Sequence, residues 1–180
     1  MNLAVTAIGH DRPGIVAAIT GALLEMDSNV DDSQMSILHG QFAVMLIVSV
    51  PDSTSVDELS LRLEEVGREF GLAAITVSPV ESLERGPQAS HVLTVYGADH
   101  RGIVHGVAEI IAAAGFNVTD LRTRRTGTEE SPVYTLMMEI APPVTDDETV
   151  YVDSLADSLI RFGLDNSVEV NLAELDREAL

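Results

Sequence analysis

The chain is 180 residues long and carries 29 acidic against 10 basic residues, a formal net charge of −19. Every basic residue is an arginine; lysine and cysteine are both missing. That composition excludes a Schiff-base or P-loop lysine, disulfides, and thiolate nucleophiles or metal ligands. It also argues against direct nucleic-acid binding, which needs cations against phosphates. The acidity itself reads as a source of solubility. Hydrophobic residues make up 46% of the chain and aromatics 4%, so a packed, mainly aliphatic core is expected. The start "MNLAVTAIGHD" has no basic segment of a secretory signal, and no run approaches about 18 apolar residues. No membrane span is expected, and a cytoplasmic location is.

In chain order, Leu3–Ile8 is an apolar strand-like run. Ile15, Ile19, Ala22, Leu23 and Met26 then mark one face of a helix. Asn29–Leu38 is polar and weakly patterned, and Phe42–Val50 is a nearly continuous apolar run suited to a central strand. His39-Gly40 between them suits a tight hairpin turn. Val56, Leu59, Leu63, Val66 and Phe70 form a second helical stripe ended by Gly71, and Ala73–Val80 closes the unit as a strand. "ESLERGPQAS", Glu81–Ser90, has the composition of a linker. Beyond it the same order returns. A strand at His91–Tyr96 precedes a helix burying Ile103, Val107, Ile110, Ile111 and Ala114. Strands at Asn117–Arg125 and Val133–Ala141 follow, then a helix with Val152, Leu155, Leu159 and Phe162, and a last strand at about Ser167–Leu172.

The return is a duplication. Shifting Gly9–Gln34 by 88 onto Gly97–Arg122 aligns eight identical residues in 26 positions: Gly9, Asp11, Gly14, Ile15, Val16, Asn29, Val30 and Asp32 meet Gly97, Asp99, Gly102, Ile103, Val104, Asn117, Val118 and Asp120. "REFGL" at Arg68–Leu72 is echoed by "IRFGL" at Ile160–Leu164. The expected class is α+β: two β-α-β-β-α-β ferredoxin-like units, each an antiparallel sheet with helices on one face. Units of this size are small for independent cores, so they are expected to bury surface against each other or in an oligomer.

The repeated glycine stretch falls at the turn from first strand into first helix. A helix start there leaves the amides of Gly14, Ile15 and Val16 without intrahelical partners, and with the helix dipole these suit a carboxylate or other anion. Pro13 fits a first-turn position; Asp11 could cap the helix or hold an ammonium group. "GHDRPG" has P-loop glycine spacing, but Ile15-Val16 stand where Lys-Ser/Thr are required. No G-x-G-x-x-G is present. A purely structural tight turn at Gly9 and Gly14 is the remaining alternative.

No catalytic or metal-ligating set emerges. His100 and His105 are five apart, which does not share one helix face, and the five histidines are expected at surface or turn positions. No serine has a G-x-S-x-G context. Arg101, Arg122, Arg124 and Arg125 cluster near the second turn. They fit either carboxylate recognition or a charged edge strand that resists aggregation.

Two such units, each with a G-x-D-x-x-G-I-V turn and an Asn-Val opening its second strand, resemble tandem ACT domains, in particular the glycine cleavage system transcriptional repressor group. The resemblance covers about Met1–Leu83 and Ser90–Leu175. "DRPGIV" at Asp11–Val16 matches well, while "DHRGIV" at Asp99–Val104 carries Arg101 in place of proline. The resemblance implies domains at 1–83 and 90–180 joined by a linker at 84–89. It implies ligand-binding residues Gly9, His10, Asp11, Arg12, Pro13, Gly14, Ile15, Val16 and Asn29, with Gly97, Asp99, Arg101, Gly102, Ile103 and Asn117 in the second copy. The implied ligand is an amino acid or similar small carboxylate, with no cofactor, metal or catalytic residue. The implied role is regulatory, through a homo-oligomer or a protein partner, in amino-acid or one-carbon metabolism. A structural interaction module with vestigial pockets, or a transcription regulator acting through a protein partner, are the alternatives.

Overall fold

The computed structural model describes residues 1–83, 86–128, 132–143 and 148–175. Two compact units are present, Met1–Glu84 and Arg85–Leu180. The expected linker at 84–89 begins with two residues outside the described ones, as do residues 176–180 of the second domain.

In the first unit the order is β1 (Asn2–His10), α1 (Ile15–Glu25), β2 (Asn29–Leu38), β3 (Gln41–Ser49), α2 (Val56–Phe70) and β4 (Leu72–Pro79). The strands form one antiparallel sheet in the order β2-β3-β1-β4. Period-two alternation in β1 and β3 sends Leu3, Val5 and Ala7, and Phe42, Val44, Leu46 and Val48, to one face. There they meet Ile15, Ile19, Ala22 and Leu23 of α1 and Leu59, Leu63 and Val66 of α2. The other sheet face is open, with Thr6 and Thr76 hydroxyls in contact at 2.6 Å. His39 and Gly40 both have positive φ, 50° and 76°, the backbone of a two-residue type I′ hairpin.

The second unit repeats this arrangement with β5 (His91–Ala98), α3 (Ile103–Ala113), β6 (Asn117–Gly127), β7 (Pro132–Ala141), α4 (Glu148–Asn166) and β8 (Val168–Glu174). Its sheet order is β6-β7-β5-β8, again antiparallel. Leu93, Val95, Leu136, Met138 and Ile140 pack under Ile103, Val107, Ile111, Leu155 and Leu159. Even the irregularity is shared: β2 bulges between Val30 and Asp32, β6 between Val118 and Asp120. Both units are β-α-β-β-α-β ferredoxin-like folds.

Both second helices end in a left-handed residue just before the last strand. Gly71 stops α2 in the left-handed conformation, φ 66°. Its counterpart is Ser167, φ 53°, because Leu72 and Val168 after them both pair with the glycine of the first strand. Gly163 of the echoed "IRFGL" is instead buried inside α4 as Gly67 is inside α2. The two aromatics are therefore not equivalents: Phe70 stands where α4 has Asn166, and Phe162 where α2 has Val66. Phe70 reaches the turn before α1, with its ring 3.3 Å from where a Cβ on Gly14 would stand. Phe162 lies over Gly106 instead, one turn inside α3.

Ser55 caps α2, its hydroxyl accepting from the Glu58 amide at 3.4 Å. Asp57 and Glu58 in the first turn add favourable charge at the helix start. Arg62 ties α2 to α1: it donates to Glu25 at 2.9 Å and to Glu65 at 3.3 Å. The hydrogen bond to Glu25 raises its guanidinium pKa above the ordinary arginine value. Ser55→Ala is expected to cost about 1 kcal/mol, read as a lower urea midpoint at unchanged slope. A midpoint equal to wild type would show that the cap is idle.

His91 departs from expectation. It is a core residue, 7% exposed, with Nδ1 2.7 Å from the Ser90 hydroxyl and its ring edge-on to Phe116. The hydroxyl satisfies the imidazole, which lets a polar side chain sit among apolar ones.

Candidate functional site

In both units the first strand enters its helix through a glycine in the left-handed region, Gly14 at φ 98° and Gly102 at φ 97°. A side chain there is strained, which is the physical requirement for glycine at these two positions. The first helical bonds are Ala18 N–H to Gly14 O, 2.9 Å, and Gly106 N–H to Gly102 O, 2.8 Å. The amides of Ile15, Val16 and Ala17, and of Ile103, Val104 and His105, consequently have no partner within their helices. No side chain caps either helix start, in contrast to α2.

Several expected roles change. Pro13 lies before the N-cap Gly14 and outside the helix, so it shapes the turn and not the first helical turn. Asp11 does not cap α1; its amide donates to Gly40 O at 2.8 Å, joining the turn to the β2–β3 hairpin. Gly9 and Gly97 are glycine because the sheet needs it. A Cβ on Gly9 would stand 2.8 Å from Leu72 Cα, and one on Gly97 2.8 Å from Val168 Cγ1. The alignment could not distinguish that demand from room for a ligand, since both put glycine at the same place.

Of the remaining residues, the histidines and Arg12 lie at the turn and the asparagines do not. His10 ends β1, its Nδ1 3.4 Å from Gln41 Nε2. Arg12 lies over the end of α2, Nη1 3.9 Å from the Cβ position of Gly71, where a cation complements the helix C-terminus. His100, its counterpart, sits 3.1 Å from Asn166 O at the end of α4. Ile15 and Ile103 are buried and anchor their helices, while Val16 is exposed. Asn29 and Asn117, expected at the site, are at the opposite end of each sheet, level with the starts of β1 and β5, because α1 and α3 carry the chain back before β2 and β6 begin. Asn29 donates to Asp31 at 2.8 Å.

The arginines do not act together. Arg122 and Arg124 pair with Met137 and Thr135 of β7 and so project on the open sheet face, and Arg122 is bound to Asp120 at 2.9 Å. Arg125, opposite Tyr134, projects on the helix face. There its Nε meets Asp99 of the turn at 3.0 Å. Arg101 is exposed.

Strand β2 extends past the helices. Met35 and Ile37 are on the helix face, opposite buried Val44 and Phe42, yet are 47% and 49% exposed. Sequence periodicity missed this apolar shelf, because the strand also carries Asp32, Ser33, Gln34 and Ser36. Two shallow depressions lie away from the turns. One, of about 530 Å³, is on the open sheet face around Thr6, Ile8, Ala43 and Met45; the other, of about 450 Å³, lies between α4 and β8.

Residues 2–77 match the family model described as the ACT domain. A UPF0237 protein of Methanopyrus kandleri is 39% identical over 72 residues, 39% of this chain and 80% of that protein. Among solved structures, an unknown protein from Galdieria sulphuraria superposes with a TM-score of 0.80 at 24% identity, over 97% of this chain and 98% of that one. A structure carrying the name of the glycine cleavage system transcriptional repressor superposes at 0.69 and 16% identity, with 98% of both chains covered. Both structural likenesses extend the common fold over both units. Among the described residues no helix is long and apolar enough to cross a membrane. With the turn, the paired sheets and the relative of Methanopyrus in agreement, the chain belongs to the ACT-domain family.

Proposed function

We propose that the protein is a non-catalytic regulator that binds an amino acid, or a similar small carboxylate, at the two strand-to-helix turns. The observation that carries this reading is the uncapped helix start behind a left-handed glycine, built twice in one chain. Free amides and the helix dipole suit the ligand's carboxylate. In the first unit the Asp11 carboxylate has no partner among the described residues, and it suits the ammonium group. Ligand bound there would order the turn and the adjoining end of β2. That strand is an exposed sheet edge bearing Met35, Ile37 and Leu38. An oligomer or partner equilibrium would then shift by the difference in affinity between its states.

Isothermal titration of the full chain against the common amino acids tests the reading. Saturable heat is expected from at least one. Asp11→Asn should weaken binding at the first turn about tenfold or more, matching loss of a charged hydrogen bond of about 1.5–3 kcal/mol. No heat from any of them with a folded sample overturns it.

A further inference from the structure

The duplicated turns face different second strands, and the difference points to the chemistry of their ligands. At the offset of 88, Met35 and Ile37 of β2 correspond to Thr123 and Arg125 of β6, and Pro13 corresponds to Arg101. All four strand residues lie on the helix face, beside the turn. The first turn is thus bordered by Met35 and Ile37, with the Phe70 ring packed against Gly14. It offers apolar contact there, and its own cation, Arg12, lies over the end of α2. The second has nothing within 4 Å of a Cβ at Gly102, and the guanidinium of Arg125 reaches its turn at Asp99. That guanidinium already holds a carboxylate: Asp99 binds Nε at 3.0 Å. A guanidinium carries five N–H donors in a planar fork, so the bond at Nε leaves donors for a second carboxylate. In a chain of net charge −19 an anion is repelled by the general field, so a local cation of this kind decides where it can settle.

We propose that the two turns select different ligand classes. The second takes an amino acid with a side-chain carboxylate, gripped by Arg125. The first takes one with an uncharged, apolar side chain, packed on Met35 and Ile37. This rests on the reading of the turns as amino-acid sites and names what each admits. Arg125, 63% exposed, supports no core contact, so its replacement leaves the fold intact.

The test is titration of the full chain with L-glutamate and L-leucine, separately and in competition, with inorganic phosphate as a third probe. The wild type should bind both amino acids without mutual displacement. Arg125→Ile, which installs the residue of the first unit, should weaken glutamate at least tenfold and change leucine less than twofold. Ile37→Arg should weaken leucine. The proposal is overturned if Arg125→Ile leaves glutamate within twofold, if the two amino acids displace one another, or if phosphate alone binds at Arg125. Binding of leucine but not glutamate overturns it while sparing amino-acid binding in general. Failure of both probes, with no other amino acid bound, removes the reading of the turns itself.

Discussion

Leu63→Ala is expected to destabilise the first unit by about 2–5 kcal/mol. Leu63 lies in the middle of α2, is fully buried, and packs into the cluster formed by β1, β3 and α1. Removing three carbons there loses the transfer energy of the side chain and leaves a cavity that a close-packed aliphatic core fills poorly. The total stability of a domain is only about 5–15 kcal/mol, so the variant should unfold at a much lower urea concentration. Leu61→Ala is the matched control: two residues away on the same helix, Leu61 is 61% exposed. Its change should stay within about 0.5 kcal/mol. Equal losses at both positions would contradict the direction in which α2 faces.

Gly14→Ala and Gly102→Ala should both destabilise, by about 1–3 kcal/mol from backbone strain at positive φ. They should not do so equally. A Cβ on Gly14 comes within 3.3 Å of the Phe70 ring, whereas one on Gly102 meets open space. Gly14→Ala is therefore the more costly, and the double variant Gly14→Ala with Phe70→Leu should return part of the difference between them. Urea denaturation of the three variants decides the matter. Gly102→Ala at wild-type stability would mean that the second turn relaxes out of the left-handed region and that strain is not a property of the repeat.

Much of this architecture is legible in residue order, for identifiable reasons. The helical stripe of Val56, Leu59, Leu63, Val66 and Phe70 and the apolar run of β3 each face one core, so their periods survive in the sequence. His39-Gly40 and Gly71 announce themselves because few residues tolerate their backbone angles. The repeat shows because turn residues resist substitution. The candidate site was harder to read. His91 is buried because Ser90 and the distant Phe116 surround it, and no window of sequence joins those positions. Arg122, Arg124 and Arg125 look like one cluster in the chain, but a strand alternates faces and separates them.

The sequence by itself determined the duplication, the β-α-β-β-α-β order and the position of the turns, because those depend on local periods and on glycine's backbone freedom. Only the tertiary structure decided what each turn looks onto. Gly9 and Gly97 proved necessary for strand packing, since β4 and β8 approach too closely for a side chain. The last residue of the second helix is Phe70 at the first turn, against Gly14, and Asn166 at the second, its carbonyl 3.1 Å from His100. Arg125 meets Asp99 across more than twenty residues of chain. These are contacts between segments far apart in sequence, set by how sheet and helices pack, and they make two similar motifs physically unequal.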